Sequence, residues 1–342
     1  MGKKDIPWIN ALRALCIIFV FLAHCQSNYG TKLVLVHSIY LPFYVNAFFF
    51  VSGYLLFWKQ LSSPKILESG SQYLIGGGKT LFLNIIFRIV IPSIFFSIIE
   101  YIPASLIRGR SIDYSSFFFK TIGGQTYWFT SALVVAELIL LILFMTRRKS
   151  IWFYAVIAIP LGALGIYMAH NDITIFSRNW WEYRQGIIAV MFLAFGGLYW
   201  RYERIIRKVL KWWVELILCG AYFSIILLCK HAAPTISTLS IEPLGVVTSL
   251  IACVLLVELC RILPESRVLT FIGQNSIGFY FMSGALPIIC SFIVHKFLSE
   301  STVWGLLIVF AVCLMVAYLV MKVLTRWAPW LFDLRVLCAR NR

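Results

Sequence analysis

The sequence predicts an all-α fold: a polytopic membrane helix bundle of about ten transmembrane helices, with both termini cytoplasmic. Three observations carry that expectation. Of the 342 residues, 61% are hydrophobic and only 13% charged, whereas soluble domains run at about 45–50% apolar and about 25% charged. So much apolar surface exceeds what one water-facing globule can bury. Second, ten segments approach the roughly 20 mainly apolar residues that cross a bilayer: 8–27, 39–57, 81–103, 127–145, 151–168, 185–200, 212–229, 243–259, 273–294 and 303–324. Third, Lys and Arg divide unequally between the alternating connections. With the N-terminus inside, twenty fall on the inner side and eight on the outer, and Arg13 and Arg88 within the segments complete the 30. Cytoplasmic connections carry that excess in membrane proteins, so the net charge of +16 reflects topology and implies no nucleic-acid partner.

Taken in order, the chain begins with a short basic stretch holding Lys3 and Lys4 and enters the first segment without a small-residue cleavage pattern. That reads as a retained span rather than a removed signal peptide. The nine cysteines include no Cys-x-x-Cys and sit mostly in apolar runs, where cysteine behaves as a small hydrophobe. No disulfide framework and no metal site are expected. No hydrophilic insert is long enough for a separate domain, so residues 1–342 read as one membrane domain.

Ionisable side chains inside spans are costly, and each is a functional hypothesis. Arg13 and His24 share the first segment, 11 residues apart. At about 100° per residue that is close to three whole turns, so both face one side, about 16 Å apart along the axis. Arg13 lies toward the cytoplasm and His24 in the outer half, an arrangement suited to an anionic cytoplasmic ligand whose reactive end reaches into the membrane. The plain alternative has Arg13 snorkelling to headgroups and His24 satisfying a backbone carbonyl; the shared face favours function. The second segment places Ser52-Gly53 among aromatics, a packing notch or a ligand approach. The third carries Arg88 four residues before Pro92, whose missing N–H frees a carbonyl. Glu137 is mid-span in the fourth segment and Glu100 in the outer part of the third; either orients an imidazole or pairs with an arginine. Glu215 and Glu258 lie near inner ends, and His37, His170, His231 and His295 in or near outer loops. The outer connection 171–184, with Trp180, Trp181, Glu182 and Arg184, has the composition of an interfacial aromatic belt or of a sugar-binding surface.

Arg13-x10-His24, then Phe49-x-x-Ser52-Gly53-Tyr54-Leu55-Leu56, then Arg88-x-x-x-Pro92, together with Tyr127-Trp128-Phe129 and Gly273-x-Asn275-Ser276-x-Gly278-Phe279-Tyr280, resemble the integral-membrane acyltransferase-3 family over almost the whole chain. Two positions differ from that family's pattern: Ile85 stands where an arginine precedes Arg88 by three residues, and Ser283 where a histidine follows Tyr280. The resemblance implies a multi-pass enzyme of the cytoplasmic membrane that moves an acyl group, acetyl or succinyl, from cytoplasmic acyl-CoA to a hydroxyl of an extracytoplasmic glycan or glycolipid. His24 would be catalytic, with Arg13 and Arg88 at the donor. Acetyl-CoA is the expected donor substrate, with no permanently bound cofactor. Membrane lipids, a surface carbohydrate or lipid-linked glycan, and separate polysaccharide-synthesis proteins are the expected partners.

The chemistry fits these residues. Histidine titrates near neutral pH and can take the proton of a hydroxyl attacking a thioester, or accept the acyl group itself as a covalent relay. An oxyanion donor is also needed, for which Ser52, Tyr127 and Trp128 are candidates. Two other functions compete: a transporter or flippase for an anionic or lipid-linked glycan, with Arg13, Arg88 and Glu137 lining its path, and a catalytically inactive relative acting as a membrane partner.

Overall fold

The computed structural model describes residues 6–31, 33–62, 70–107, 109, 113–176, 178–232, 243–298 and 302–336, so Lys3, Lys4 and the side chain of His231 lie outside the described residues. All regular structure among the described residues is helical. The longer helices are α1 (Pro7–Tyr29), α3 (Asn46–Leu61), α6 (Ile91–Ile107), α8 (Trp128–Phe144), α9 (Ile151–His170), α10 (Tyr183–Val209), α11 (Trp212–Ala232), α12 (Pro243–Ile262), α14 (Ser276–His295) and α15 (Val303–Trp327). Shorter ones connect them: α2 (Val34–Tyr40), α4 (Gly70–Tyr73), α5 (Lys79–Ile85), α7 (Tyr114–Thr121) and α13 (Arg267–Gln274). Six helical runs are long and apolar enough to cross a membrane among the described residues, or seven when α10 and α11, bent by 109° at their junction, are taken as one broken span. α8 is apolar but only 17 residues long. The protein is a multi-pass membrane helix bundle.

Local chemistry explains several boundaries. Pro7 opens α1, where its missing N–H is no loss, and Gly30 closes it in the left-handed region, its N–H bonding the Gln26 carbonyl. Asp113 caps α7 by accepting from the Ser116 N–H at 2.7 Å, and that bond holds its carboxyl below the usual carboxylate range. Elsewhere helix and hydropathy part company. The second apolar segment, expected as one helix over 39–57, is interrupted by turns at 41–45 and becomes helical again at Asn46. The ninth, expected over 273–294, breaks at Asn275 between α13 and α14. The third begins earlier, at Leu74, and passes through two π-helical stretches, Leu74–Gly78 and Ile86–Val90.

Contacts at the two ends show α3, α12 and α15 running opposite to α1, and α14 running with it. One end joins the start of α1 to the ends of α3 and α12: Trp8 meets the edge of Tyr54 and the face of Arg261. The other joins the end of α1 to the end of α14 and the start of α15, where Tyr29 stacks on His295 and lies against Gly305. α3 and α10 pack closely. A Cβ on Gly53 would stand 2.0 Å from the Leu193 carbonyl oxygen, and one on Gly196 would stand 1.8 Å from that of Phe50. Small residues let helix backbones approach closely in lipid, where apolar burial alone gives little drive. Gly53 therefore has a packing reason to follow Ser52.

Candidate active site

α1 runs unbroken from Pro7 to Tyr29, so residues 13, 17, 20 and 24 form one stripe. Ile17 and Val20 in its middle are 1% and 3% exposed, while Arg13 and His24 at its ends are half-buried. The stripe is thus polar at both ends, with two packed apolar residues between. Arg13 lies within electrostatic reach of Arg88 and Glu137, and Glu137 also of Lys59. Three expected residues from three helical segments therefore converge near one level of the bundle.

What distinguishes this group is how little its members bond. Among the described residues, the side chains of Arg13, His24 and Glu137 make no hydrogen bond and no ion pair. None of their polar atoms is sealed from water. Arg88 has one contact, its Nε lying 3.5 Å from Asp333 Oδ2. It sits in the π-helical stretch Ile86–Val90, where the wider turn re-aims side chains, a feature frequent at functional sites. Ile85, three residues earlier, is fully buried, so an arginine there would face the core.

Other expected residues take different places. Tyr127 donates its hydroxyl to the Phe281 carbonyl at 2.7 Å, and the Glu100 carboxyl faces the same hydroxyl. Its proton is therefore committed to a helix-joining bond rather than to an oxyanion. Trp128 and Ser52 are half-buried beside it and beside Gly53. Glu137 lies with the arginines, not with the His24 imidazole. The 171–184 connection is internally tied: Arg184 pairs with Asp172 at 2.7 Å, Asn179 donates to Glu182 at 2.7 Å, and the Trp181 N–H reaches the Gly123 carbonyl at 2.8 Å. Trp180 packs edge-on against Phe119.

Two polar groups lay beyond sequence reasoning. In the first, Arg261 bonds Glu203 and lies 3.5 Å from Glu258, while Tyr54 donates to Glu203 at 2.7 Å and Tyr199 to Glu258 at 2.8 Å. Glu258 is thus an ion-pair partner, beyond its expected interfacial role. In the second, the segment after α15 returns to the bundle and brings Asp333 and Arg335 to Asn84 and Arg88. An acidic residue four positions after Pro329 and a basic one six positions after it carry no periodic signal, so nothing in the hydropathy marks them.

With this geometry in place, the comparisons with known proteins are specific. The acyltransferase-3 family model, described as an acyltransferase domain, matches residues 6–322. Neither the curated proteins nor the solved structures contain a match. The chain belongs to the acyltransferase-3 family, and its domain is that of a membrane acyltransferase.

Proposed function

We propose that this membrane acyltransferase transfers an acyl group, acetyl or succinyl, from cytoplasmic acyl-CoA to a hydroxyl of an extracytoplasmic glycan or glycolipid, at a site in the cytoplasmic membrane. The observation that carries the reading is the unbonded stripe: Arg13 and His24 at the two ends of one α1 face, Arg88 and Glu137 gathered at the Arg13 end, and Ile17 and Val20 between. An anionic donor head needs cations, and an acyl-transfer centre needs a base. The donor's thioester arm would have to span the apolar residues that separate them.

Arg13 and Arg88 hold the donor's phosphates at the cytoplasmic mouth, and the arm carries the thioester carbonyl toward His24, about 16 Å along the axis. In the direct route the acceptor oxygen attacks the carbonyl carbon while His24 takes the hydroxyl proton. The C–S bond then breaks, and the departing thiolate receives that proton as free CoA. In the relay route His24 first accepts the acyl group with release of CoA, and the acceptor hydroxyl then takes it. Both routes need the imidazole.

His24→Ala should lower acyl transfer by about 10² to 10⁴-fold, the usual contribution of a positioned acid–base group, with insertion and oligomeric homogeneity unchanged. Release of free CoA on addition of acceptor, followed together with the acyl mass on the glycan, is the measurement. Wild-type turnover in purified His24→Ala would remove the imidazole from the mechanism. Substrate crossing the membrane without CoA release would favour the transporter.

A further inference from the structure

The C-terminal segment does not leave the bundle after α15. Phe332 stacks on Phe96 of α6 with ring centres 5.6 Å apart and planes 13° from parallel, and Phe96 stacks in turn on Phe281 of α14 at 4.9 Å. The Phe332 ring also lies against Gly278, where any Cβ would crowd it. This wedge fixes the register of the next three residues. Asp333 receives a forked pair from Arg335, Nε to Oδ1 at 2.7 Å and Nη2 to Oδ2 at 2.5 Å, and Arg335 Nη1 donates to Asn84 Oδ1. The same Oδ2 lies 3.5 Å from Arg88 Nε.

Two guanidinium groups therefore face a single carboxylate. One positive charge is left over, and Arg88 makes no hydrogen bond among the described residues. The side chains of Arg88 and Arg335 are 44% and 39% exposed, so an incoming anion can reach both. A phosphoryl oxygen matches the forked donor geometry of guanidinium better than any other common biological anion except a carboxylate. The group is continuous with Arg13 through Arg88.

We propose that Arg335 is a further donor-binding residue: with Arg88 it forms a two-guanidinium clamp for a phosphoryl group of the acyl donor, and Asp333 is the internal anion that this group displaces from Arg88. The inference rests on the functional reading above and adds to it a residue, a ligand group and a competitor.

A competing carboxylate and a mere anchor predict opposite signs. Affinity for acetyl-CoA and for acetyl-pantetheine, which lacks the nucleotide phosphates, should be measured on protein held in discs of neutral lipid. Arg335→Gln should weaken acetyl-CoA binding about 10 to 150-fold, the range for one charge-assisted contact, and leave acetyl-pantetheine unchanged. Arg335→Lys should recover only part of the loss. Asp333→Asn should tighten acetyl-CoA binding severalfold. If Asp333→Asn weakens it as Arg335→Gln does, Asp333 and Arg335 only anchor the segment and the clamp is wrong. If Arg335→Gln leaves acetyl-CoA affinity unchanged in the neutral discs but lowers the anionic lipid retained by protein purified from anionic-lipid discs, the phosphoryl group is a headgroup and the donor assignment falls. Wild-type acetyl-CoA affinity in Arg335→Gln, alongside loss of transfer in His24→Ala, overturns the clamp alone. Failure of the wild-type protein to bind either acetyl-CoA or succinyl-CoA overturns both readings.

Discussion

Two groups of buried charge, built from the same residue types, behave in opposite ways. Around Arg261 the charges are paired: two carboxylates face the guanidinium, each carboxylate also accepts from a tyrosine, and the cation lies over the Trp8 ring, although its Nε makes no hydrogen bond. Around Arg13 almost nothing is bonded, although Glu137 and Arg88 are near enough to act on its charge. A buried charge is tolerated when paired and costly when not. The first group therefore reads as structure, joining α1, α3, α10 and α12 at one end. The second leaves donors and a carboxylate without hydrogen bonds among the described residues.

The largest effect that tests this contrast comes from a matched pair of substitutions. Arg261→Met keeps the chain's bulk but leaves Glu203 and Glu258 without their cation, and breaking a buried pair this way costs about 3–5 kcal/mol. Arg13→Met removes a cation that has no bonded partner, so stability should stay level or rise. Thermal midpoints in one detergent should fall for Arg261→Met and not for Arg13→Met. Equal losses would mean that Arg13 is as structural as Arg261.

Donor binding sharpens the same contrast at a smaller scale. Arg13→Lys retains the charge and loses the fork, so acetyl-CoA affinity should fall by roughly 10 to 150-fold, the equivalent of about 1.5–3 kcal/mol, with unchanged stability. Unaltered affinity would leave Arg13 as a headgroup anchor, since lysine snorkels equally well.

Hydropathy made some of this legible in advance. α1, α9, α12 and α15 lie where apolar runs of spanning length demand them, and because α1 is unbroken, the 11-residue spacing correctly places Arg13 and His24 on one face. Hydropathy follows the apolar environment rather than the helix, however. It ends the sixth segment at Trp200, whereas α10 continues to Val209 through Arg201, Glu203 and Arg204, which is how Glu203 reaches Arg261. It also runs straight across the turns at 41–45 and the break at Asn275, where the regular helix is interrupted within an apolar stretch. Asp333 and Arg335 were hidden for a third reason. Their place is set by one aromatic wedge, Phe332 on Phe96, and a single long-range contact leaves no pattern along the chain.

The smallest effect comes from Tyr54. Its hydroxyl donates to Glu203 at 2.7 Å, while its ring keeps the edge contact with Trp8 at 5.3 Å. Tyr54→Phe deletes the donor alone, and Arg261 still holds the carboxylate, so the acceptor is not orphaned. The loss should be about 0.5–1.5 kcal/mol, the ordinary net value of one hydrogen bond, with no change in donor affinity. In an Arg261→Met background the same substitution strips Glu203 of its remaining strong donor. The two losses should then exceed their sum by about 0.5–3 kcal/mol, as for residues sharing one network. A double-mutant cycle on unfolding midpoints measures that coupling. Strict additivity would show that Tyr54 and Arg261 do not act on Glu203 together, and that the paired group is no better connected than the open one around Arg13.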